Sequence, residues 1–219
     1  MFDLISPTYD RVNRILSLGM DQGWRKKLIH HLPRRPKLQI LDLATGTGDQ
    51  LIAFIKSGVP FQSAVGIDLA TEMLQIAEKK IQKHPHVHFL RADAENIPFP
   101  DEDFDAASFS FGIRNVTDPL RSLKEIHRIL KHEGKCLILE FSLPPQPFRF
   151  FYLFYLRKIL PRIGGLLSRK PEAYRYLNET IETFPSGRAF CDLLEKAKFK
   201  NVQAYPMSFG AVTLYVGEK

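Results

Sequence analysis

The chain has 219 residues, 44% of them apolar, and a formal net charge of +7. That length suits one domain with a full hydrophobic core and room for an insertion. Two cysteines, Cys136 in a strand-like run and Cys191 in a helix-like one, exclude a disulfide framework or a cysteine-rich metal site and suit a reducing compartment. The start, MFDLISPTYD, lacks the basic head and apolar core of a signal peptide. Charge is uneven: residues 24–37 and 141–170 each hold six Lys/Arg and no acid, which leaves the rest of the chain net acidic. Such segments suit nucleic acid, an anionic membrane surface or an acidic ligand, and equally two ordinary solvated faces.

In chain order, residues 8–32 read as two helices parted by Gly19 and stopped by Pro33 and Pro36. LQILDLA is a continuous apolar run suited to a buried parallel strand. TGTGD then turns the chain into the helix QLIAFIKS, closed by Gly58. AVGIDLA is a second strand, and Thr71 is placed to cap the helix TEMLQIAEKKIQKH. VHFLRAD and FDAASFSF make the third and fourth strands. DPLRSLKEIHRILK is an amphipathic helix with Asp118 as N-cap and Pro119 in its first turn. KCLILEFS is the fifth strand. After an insertion, about 143–185, the helix SGRAFCDLLEKAKF leads to NVQAYPMSF and AVTLYVGEK, joined so tightly near Gly210 that they must pair antiparallel. Strands alternating with helices predict a doubly wound α/β fold.

The insertion opens on FRFFYLFYLRKILPRIGGLL, Phe148 to Leu167. Its longest charge-free piece, Phe150 to Leu156, is far short of the roughly 20 apolar residues of a membrane span. Phe148, Phe151, Tyr152, Tyr155 and Ile159 fall at helical spacing and predict one apolar face, an arrangement more often core than a special site.

Chemistry concentrates at the first strand–turn–helix. LDLATGTGD puts Asp42 near the strand end and Gly46 and Gly48 in the turn, where glycine permits positive φ and lets a ligand lie against bare backbone at a helix N-terminus. Asp68 ends the next strand, 26 residues after Asp42, where a carboxylate can hold both hydroxyls of a ribose. A dinucleotide fingerprint needs a third glycine where this chain has Leu51. S-adenosyl-L-methionine has no pyrophosphate and needs only the glycine turn, the acid and a polar edge for adenine. RADAENIPF supplies that edge, with Asp93 to accept from the adenine amino group and the Ala94 N–H to donate. Taken alone, Asp93 is a plain loop carboxylate.

Asp42, the Gly46-Thr47-Gly48 turn, Asp68 and Asp93-Ala94 resemble the class I S-adenosylmethionine-dependent methyltransferases, with Ala44 where that superfamily usually has glycine. The resemblance implies a Rossmann-like, doubly wound seven-stranded sheet whose last strand is antiparallel. YDRVNRILSLGMDQGWRKKL resembles the N-terminal signature of the C-methyltransferases of menaquinone and ubiquinone biosynthesis, at Tyr9, Asp10, Asn13, Ser17, Gly19 and Trp24. SFGIRNVTDPLRSLKEIHRILKHEG resembles their second signature, from Ser110, Arg114 and Asn115 to Lys131 and Gly134, with His132-Glu133 where the family usually has Pro-Gly. PRIGGLLSRKPEAYRYLNETIETFP resembles the family's insertion. The likeness covers essentially the whole chain: a single methyltransferase domain, 1–219, with an N-terminal helical cap, 1–36.

The resemblance implies methylation of a ring carbon of a polyprenylated hydroquinone, most readily demethylmenaquinol, with ubiquinone ring methylation as the alternative. It implies a cytoplasmic enzyme at the inner face of the membrane, with the quinol as substrate, peripheral membrane contact, a homodimer, no nucleic acid and no metal. Cofactor contacts fall to Asp42, Gly46, Thr47, Gly48, Asp68, Asp93, Ala94 and Ser110, and catalysis to Arg114, Asn115 and Tyr9. A phenol titrates near pH 10, so the site must stabilise a phenolate, a task for the permanent cation Arg114, with Asn115 orienting the quinol. The alternative for Arg114-Asn115 is a helix-cap region paired with Asp118. No general base is evident, since His127 and His132 lie on or past the amphipathic helix. The aromatic run becomes a lid over the quinol tail, its cations facing anionic headgroups. Two rivals remain: a methyltransferase for a small or nucleic-acid substrate, and a non-catalytic partner that keeps the fold.

Overall fold

The computed structural model describes residues 6–162 and 171–219, without the side chains of residues 6–9, 11 and 171–175. Part of the family-like insertion, residues 163–170, lies outside the described residues.

The apolar runs become the strands β1 (Leu38–Leu43), β2 (Phe61–Asp68), β3 (Val87–Arg91), β4 (Phe104–Ser110) and β5 (Leu130–Phe141), followed by β6 (Lys200–Met207) and β7 (Val212–Glu218). They form one seven-stranded sheet in the order β3-β2-β1-β4-β5-β7-β6. The first five are parallel, and β7 lies antiparallel between β5 and β6, as the tight tail turn requires. Around the sheet lie α1 (Ser6–Leu16), α2 (Met20–Ile29), α3 (Asp49–Ser57), α4 (Thr71–Ile81), α5 (Pro119–Ile129), α6 (Phe148–Phe154), α7 (Pro171–Thr183) and α8 (Arg188–Lys196).

Alternate residues of β1 feed opposite faces of the sheet. Leu41 and Leu43 join Phe109, the α5 residues Leu123, Ile126 and Ile129, and Phe190 and Leu194 of α8. Leu38 and Ile40 join Trp24 and Leu28 of α2, Leu51 and Phe54 of α3, and Ile81 of α4. Helices therefore cover both faces, which is why the strands read as unbroken apolar runs. Chain direction across the sheet reverses at β1, whose neighbours are β2 and β4. Ligands of open α/β sheets bind outside the carboxyl ends of the strands at such a switch.

Two local expectations change and one holds. Thr71 does not cap α4: Ala70 holds the cap position, and the Asp68 Oδ1 accepts the Ala70 N–H at 2.9 Å. Asp118 does cap α5, accepting the Arg121 N–H at 3.1 Å. β5 begins at Leu130 rather than Lys135, because Leu130 pairs with Phe104 ahead of a register shift that skips residues 131–134, a break that apolar patterning cannot register.

The aromatic run divides instead of presenting one face. After α6 the chain passes into a π turn over Tyr155–Ile159. Leu156 and Leu160 pack with Val12 of α1 and Ile181 of α7 in a small third core, against which Tyr152 and Tyr155 lean. The Tyr155 hydroxyl donates to the Leu16 carbonyl at 2.8 Å. Phe150, Phe151 and Phe154 point to solvent, 68%, 67% and 55% exposed. Tyr152, Leu156 and Leu160 are spaced by four, which the looser π winding keeps on one side, and Phe151 falls outside that spacing. Phe148 instead stacks on Phe209 of the β6–β7 turn, centroids 4.7 Å apart.

Candidate active site

At the end of β1 the chain climbs through Ala44 (φ 45°), Gly46 (φ 56°) and Gly48 (φ 81°) into α3. The two glycines serve different needs. A Cβ on Gly48 would sit 3.0 Å from Ile81 Cδ1 and 3.2 Å from Ala77 Cβ, so α4 needs its bareness. A Cβ on Gly46 would meet nothing within 4 Å, because that position faces open space. The space is a cleft of about 310 Å³ over the ends of β2, β1 and β4. Gly46, Asp68, Asp93, Ala94, Ser110 and Asn115 all line it, with Met73, Phe109 and Phe111 among its apolar surfaces.

Asp68 closes the turn from β2: its Oδ2 accepts the Gly46 N–H at 2.8 Å. Asp93 Oδ1 accepts the Glu95 N–H at 2.9 Å, which fixes the β3 edge of the cleft. Ser110 donates its hydroxyl to Gln50 Oε1 at 3.2 Å, and Gln50 is 1% exposed with its Nε2 unpartnered among the described residues.

Four expected site residues stand back from the cleft wall: Gly48, held against α4, and Asp42, Thr47 and Arg114. Asp42 is fully buried and accepts hydroxyls from Thr45 and Ser108, each at 2.6 Å. Thr47 turns to the N-terminal cap, donating to Asp10 Oδ1 at 2.6 Å. Lys80 ties the same cap down, donating to Asp10 at 2.9 Å and to Asp49 at 2.7 Å. Arg114 leaves the cleft to its neighbour Asn115 and turns to Glu140, Nη1 to Oε1 2.6 Å, and to the Phe111 carbonyl at 2.7 Å. It does not pair with Asp118. Its guanidinium lies over the Phe141 ring, 5.2 Å from the centroid. The side chains of Arg114 and Glu140 are 7% and 1% exposed. Burial pushes the Glu140 carboxyl up, against the opposing pull of Arg114. The Tyr9 side chain lies outside the described residues, while its backbone belongs to α1. His127 packs edge-on against Phe199 and touches none of these groups.

Glu140 and Gln50 are the additions that sequence reasoning missed. An acid closing the apolar strand LILEF and an amide just inside a helix each carried a faint signal: a polar residue inside a buried pattern. Arg25 also reaches inward, its guanidinium 5.4 Å from the centre of the Phe111 ring.

The sequence pattern of the ubiE/COQ5 methyltransferase family matches residues 1–219. The chain belongs to that family. A relative from Citrifermentans bemidjiense, named ubiquinone/menaquinone biosynthesis C-methyltransferase UbiE, is 42% identical, with 100% of this chain and 94% of the relative covered. The demethylmenaquinone methyltransferase of Thermus thermophilus is 41% identical, with 100% of both chains covered. Among solved structures, a SAM-dependent methyltransferase from Thermotoga maritima superposes with a TM-score of 0.70 at 22% identity, covering 100% of this chain and 97% of that one. The CurJ carbon methyltransferase superposes with a TM-score of 0.67 at 15% identity, covering 93% and 55%. These two likenesses establish the seven-stranded methyltransferase fold.

Burial raises the Asp42 carboxyl from 3.8 to about 6, against the two hydroxyl hydrogen bonds that lower it. A carboxyl with its folded pKa above its unfolded one stabilises the fold when protonated, so this contribution is full below the unfolded pKa and fades as pH rises through about 6. Asp42→Asn removes the titration. Relative to wild type, the variant should lose on the order of 2–3 kcal/mol between pH 7 and pH 4, read by urea unfolding at each pH. A difference constant across that range contradicts the raised pKa.

Proposed function

We propose that this protein methylates a ring carbon of demethylmenaquinol with S-adenosyl-L-methionine, the methyl-adding step of menaquinone biosynthesis. The observation that carries the reading is the full-length kinship with C-methyltransferases named for quinones, over a cleft whose polar residues suit this cofactor. The fit rests on Gly46, whose absent side chain leaves room against bare backbone, and on Asp68 and Asp93 spread along one cleft. Asp68 would hold the ribose hydroxyls, and Asp93 with Ala94 the adenine edge. When bound, the cofactor supplies an electrophilic methyl carbon. The polypeptide's task is to make the ring carbon nucleophilic and to exclude water.

Asn115 supports that task directly: it lines the cleft, and its Oδ1 is buried with no partner among the described residues. It would accept a hydrogen bond from the quinol hydroxyl. Arg114, adjacent in sequence and bound to the Phe111 carbonyl of the cleft wall, would stabilise the developing phenolate. In the overall exchange, the ring carbon gains the methyl and loses its hydrogen as a proton, and the phenolic proton is removed early and restored at the end. The lid reading now rests on Tyr152 and Tyr155, which pack against the third core beside α1, and no longer on Phe151. The aromatic, largely apolar surroundings favour a prenylated ring over a nucleic-acid substrate, and the intact cofactor residues favour an enzyme over a non-catalytic partner.

In a strain lacking the protein, quinone profiling should show demethylmenaquinone in place of menaquinone, restored by the wild-type chain. Asp68→Ala should fail to restore it and should raise the cofactor Kd at least about tenfold, since each charge-assisted bond contributes roughly 1.5–3 kcal/mol. Unchanged cofactor affinity in a folded variant contradicts the ribose assignment. Accumulation of a ring-demethylated ubiquinone precursor instead would move the substrate to the benzoquinol series.

The same reading places the protein on a membrane surface. Among the described residues no helix is long and apolar enough to cross a bilayer. Phe150, Phe151 and Phe154 nevertheless stand in solvent beside the exposed Arg149, Arg157 and Lys158, an arrangement suited to anionic headgroups above acyl chains. Vesicles containing phosphatidylglycerol should sediment the wild-type protein. Changing Phe150 and Phe151 together to serine should abolish most of that binding and leave Tm unchanged. Equal binding by the two proteins contradicts the assignment of this face.

A further inference from the structure

Three buried polar atoms, on Arg114, on its sequence neighbour Asn115 and on its ion-pair partner Glu140, have no partner among the described residues: Arg114 Nε, Glu140 Oε2 and Asn115 Oδ1. Asn115 opens to the cleft, and Arg114 and Glu140 lie behind it. A buried ion pair is expensive to desolvate, and a purely structural one is expected to have its remaining lone pairs and protons satisfied. This one is half satisfied. Glu140 Oε1 takes the Arg114 Nη1–H at 2.6 Å and the Phe141 N–H at 2.8 Å, while Oε2 takes nothing from the described residues. The strand end is itself rigid: Glu140 sits opposite Thr213 in the β5–β7 ladder, and the next residue but one, Ser142, is held to Thr213 at 2.8 Å.

We propose that Glu140 is a positioning residue for methyl transfer: ionised and fixed by the end of β5, it holds the Arg114 guanidinium at the edge of the quinol site. The inference rests on the reading that Arg114 serves the quinol. Glu140 and the Phe111 carbonyl both hold Arg114 Nη1, which limits the guanidinium to one orientation over Phe141, beside Asn115 of the cleft. Glu140 also offsets the full charge of Arg114, so that Arg114 is not buried as a lone cation. The charged and titratable groups that face Glu140 are Arg114 from the turn after β4, Tyr152 from α6 and Tyr215 from β7. Arg114 stays cationic throughout the working range, and burial raises both tyrosines, so Glu140 is the member of the group that titrates on the acid side.

The test is Glu140→Gln, which keeps the shape and removes the charge. Its kcat should fall at least about tenfold, with the quinol KM and the cofactor-product Kd within about twofold of wild type. The wild-type kcat should decline at acid pH as Glu140 takes up a proton, and the variant should lack that limb. Glu140→Asp keeps the charge on a shorter arm and should lie between the two, which preserves the test where Glu140→Gln folds poorly. In an Arg114→Gln background, Glu140→Gln should add no further loss of kcat, because it acts through Arg114. An additive loss, or a wild-type pH profile in a folded Glu140→Gln, overturns the proposal. A wild-type kcat in Arg114→Gln alone shows instead that the Arg114 reading has failed, and the proposal falls with it.

Discussion

The buried carboxylate of Asp42 is the constraint on which the site depends. It stands near the end of β1, where the sheet changes direction, 1% exposed, and it takes a hydroxyl from the turn at Thr45 and another from β4 at Ser108. One group thus ties together the strand, the glycine turn and the neighbouring strand across the switch point. Burying it is unfavourable, as its raised pKa records, and two hydrogen bonds offset part of that penalty. With the turn held, Gly46 can present bare backbone to the cleft while its N–H closes on Asp68.

Around this frame the N-terminal helices and the aromatic helix are tied in from distant parts of the chain. Lys80 and Thr47 clamp Asp10 over the glycine turn. Trp24 donates from α2 to Ser208 at 2.9 Å, and Phe209 beside it carries Phe148. Exposed phenylalanines and half-buried tyrosines then share one short helical segment.

Most of the fold was legible because it is written in local patterns. Apolar strands of four to eight residues, the αL glycines 19 and 58 and the Asp118 cap each depend on neighbours in sequence. Gly46, Asp68, Asp93, Ala94, Ser110 and Asn115 were legible for a related reason: strand ends of a doubly wound sheet converge. The rest depends on long-range pairing. Arg114 meets an acid 26 residues away, and Thr47 an acid 37 residues away, and no periodicity announces either contact. The exposure of Phe151 was hidden by the π turn, since an ideal 3.6-residue repeat carries it into the buried face.

The central claim is methyl transfer to carbon at this cleft. Purified protein, methyl-labelled S-adenosyl-L-methionine and chemically reduced demethylmenaquinone, followed by mass spectrometry of the extracted quinone, test it most directly. The account predicts one labelled methyl on the naphthoquinol ring carbon. Cofactor that binds with no label reaching the quinone, or label found on a quinol oxygen, would contradict it.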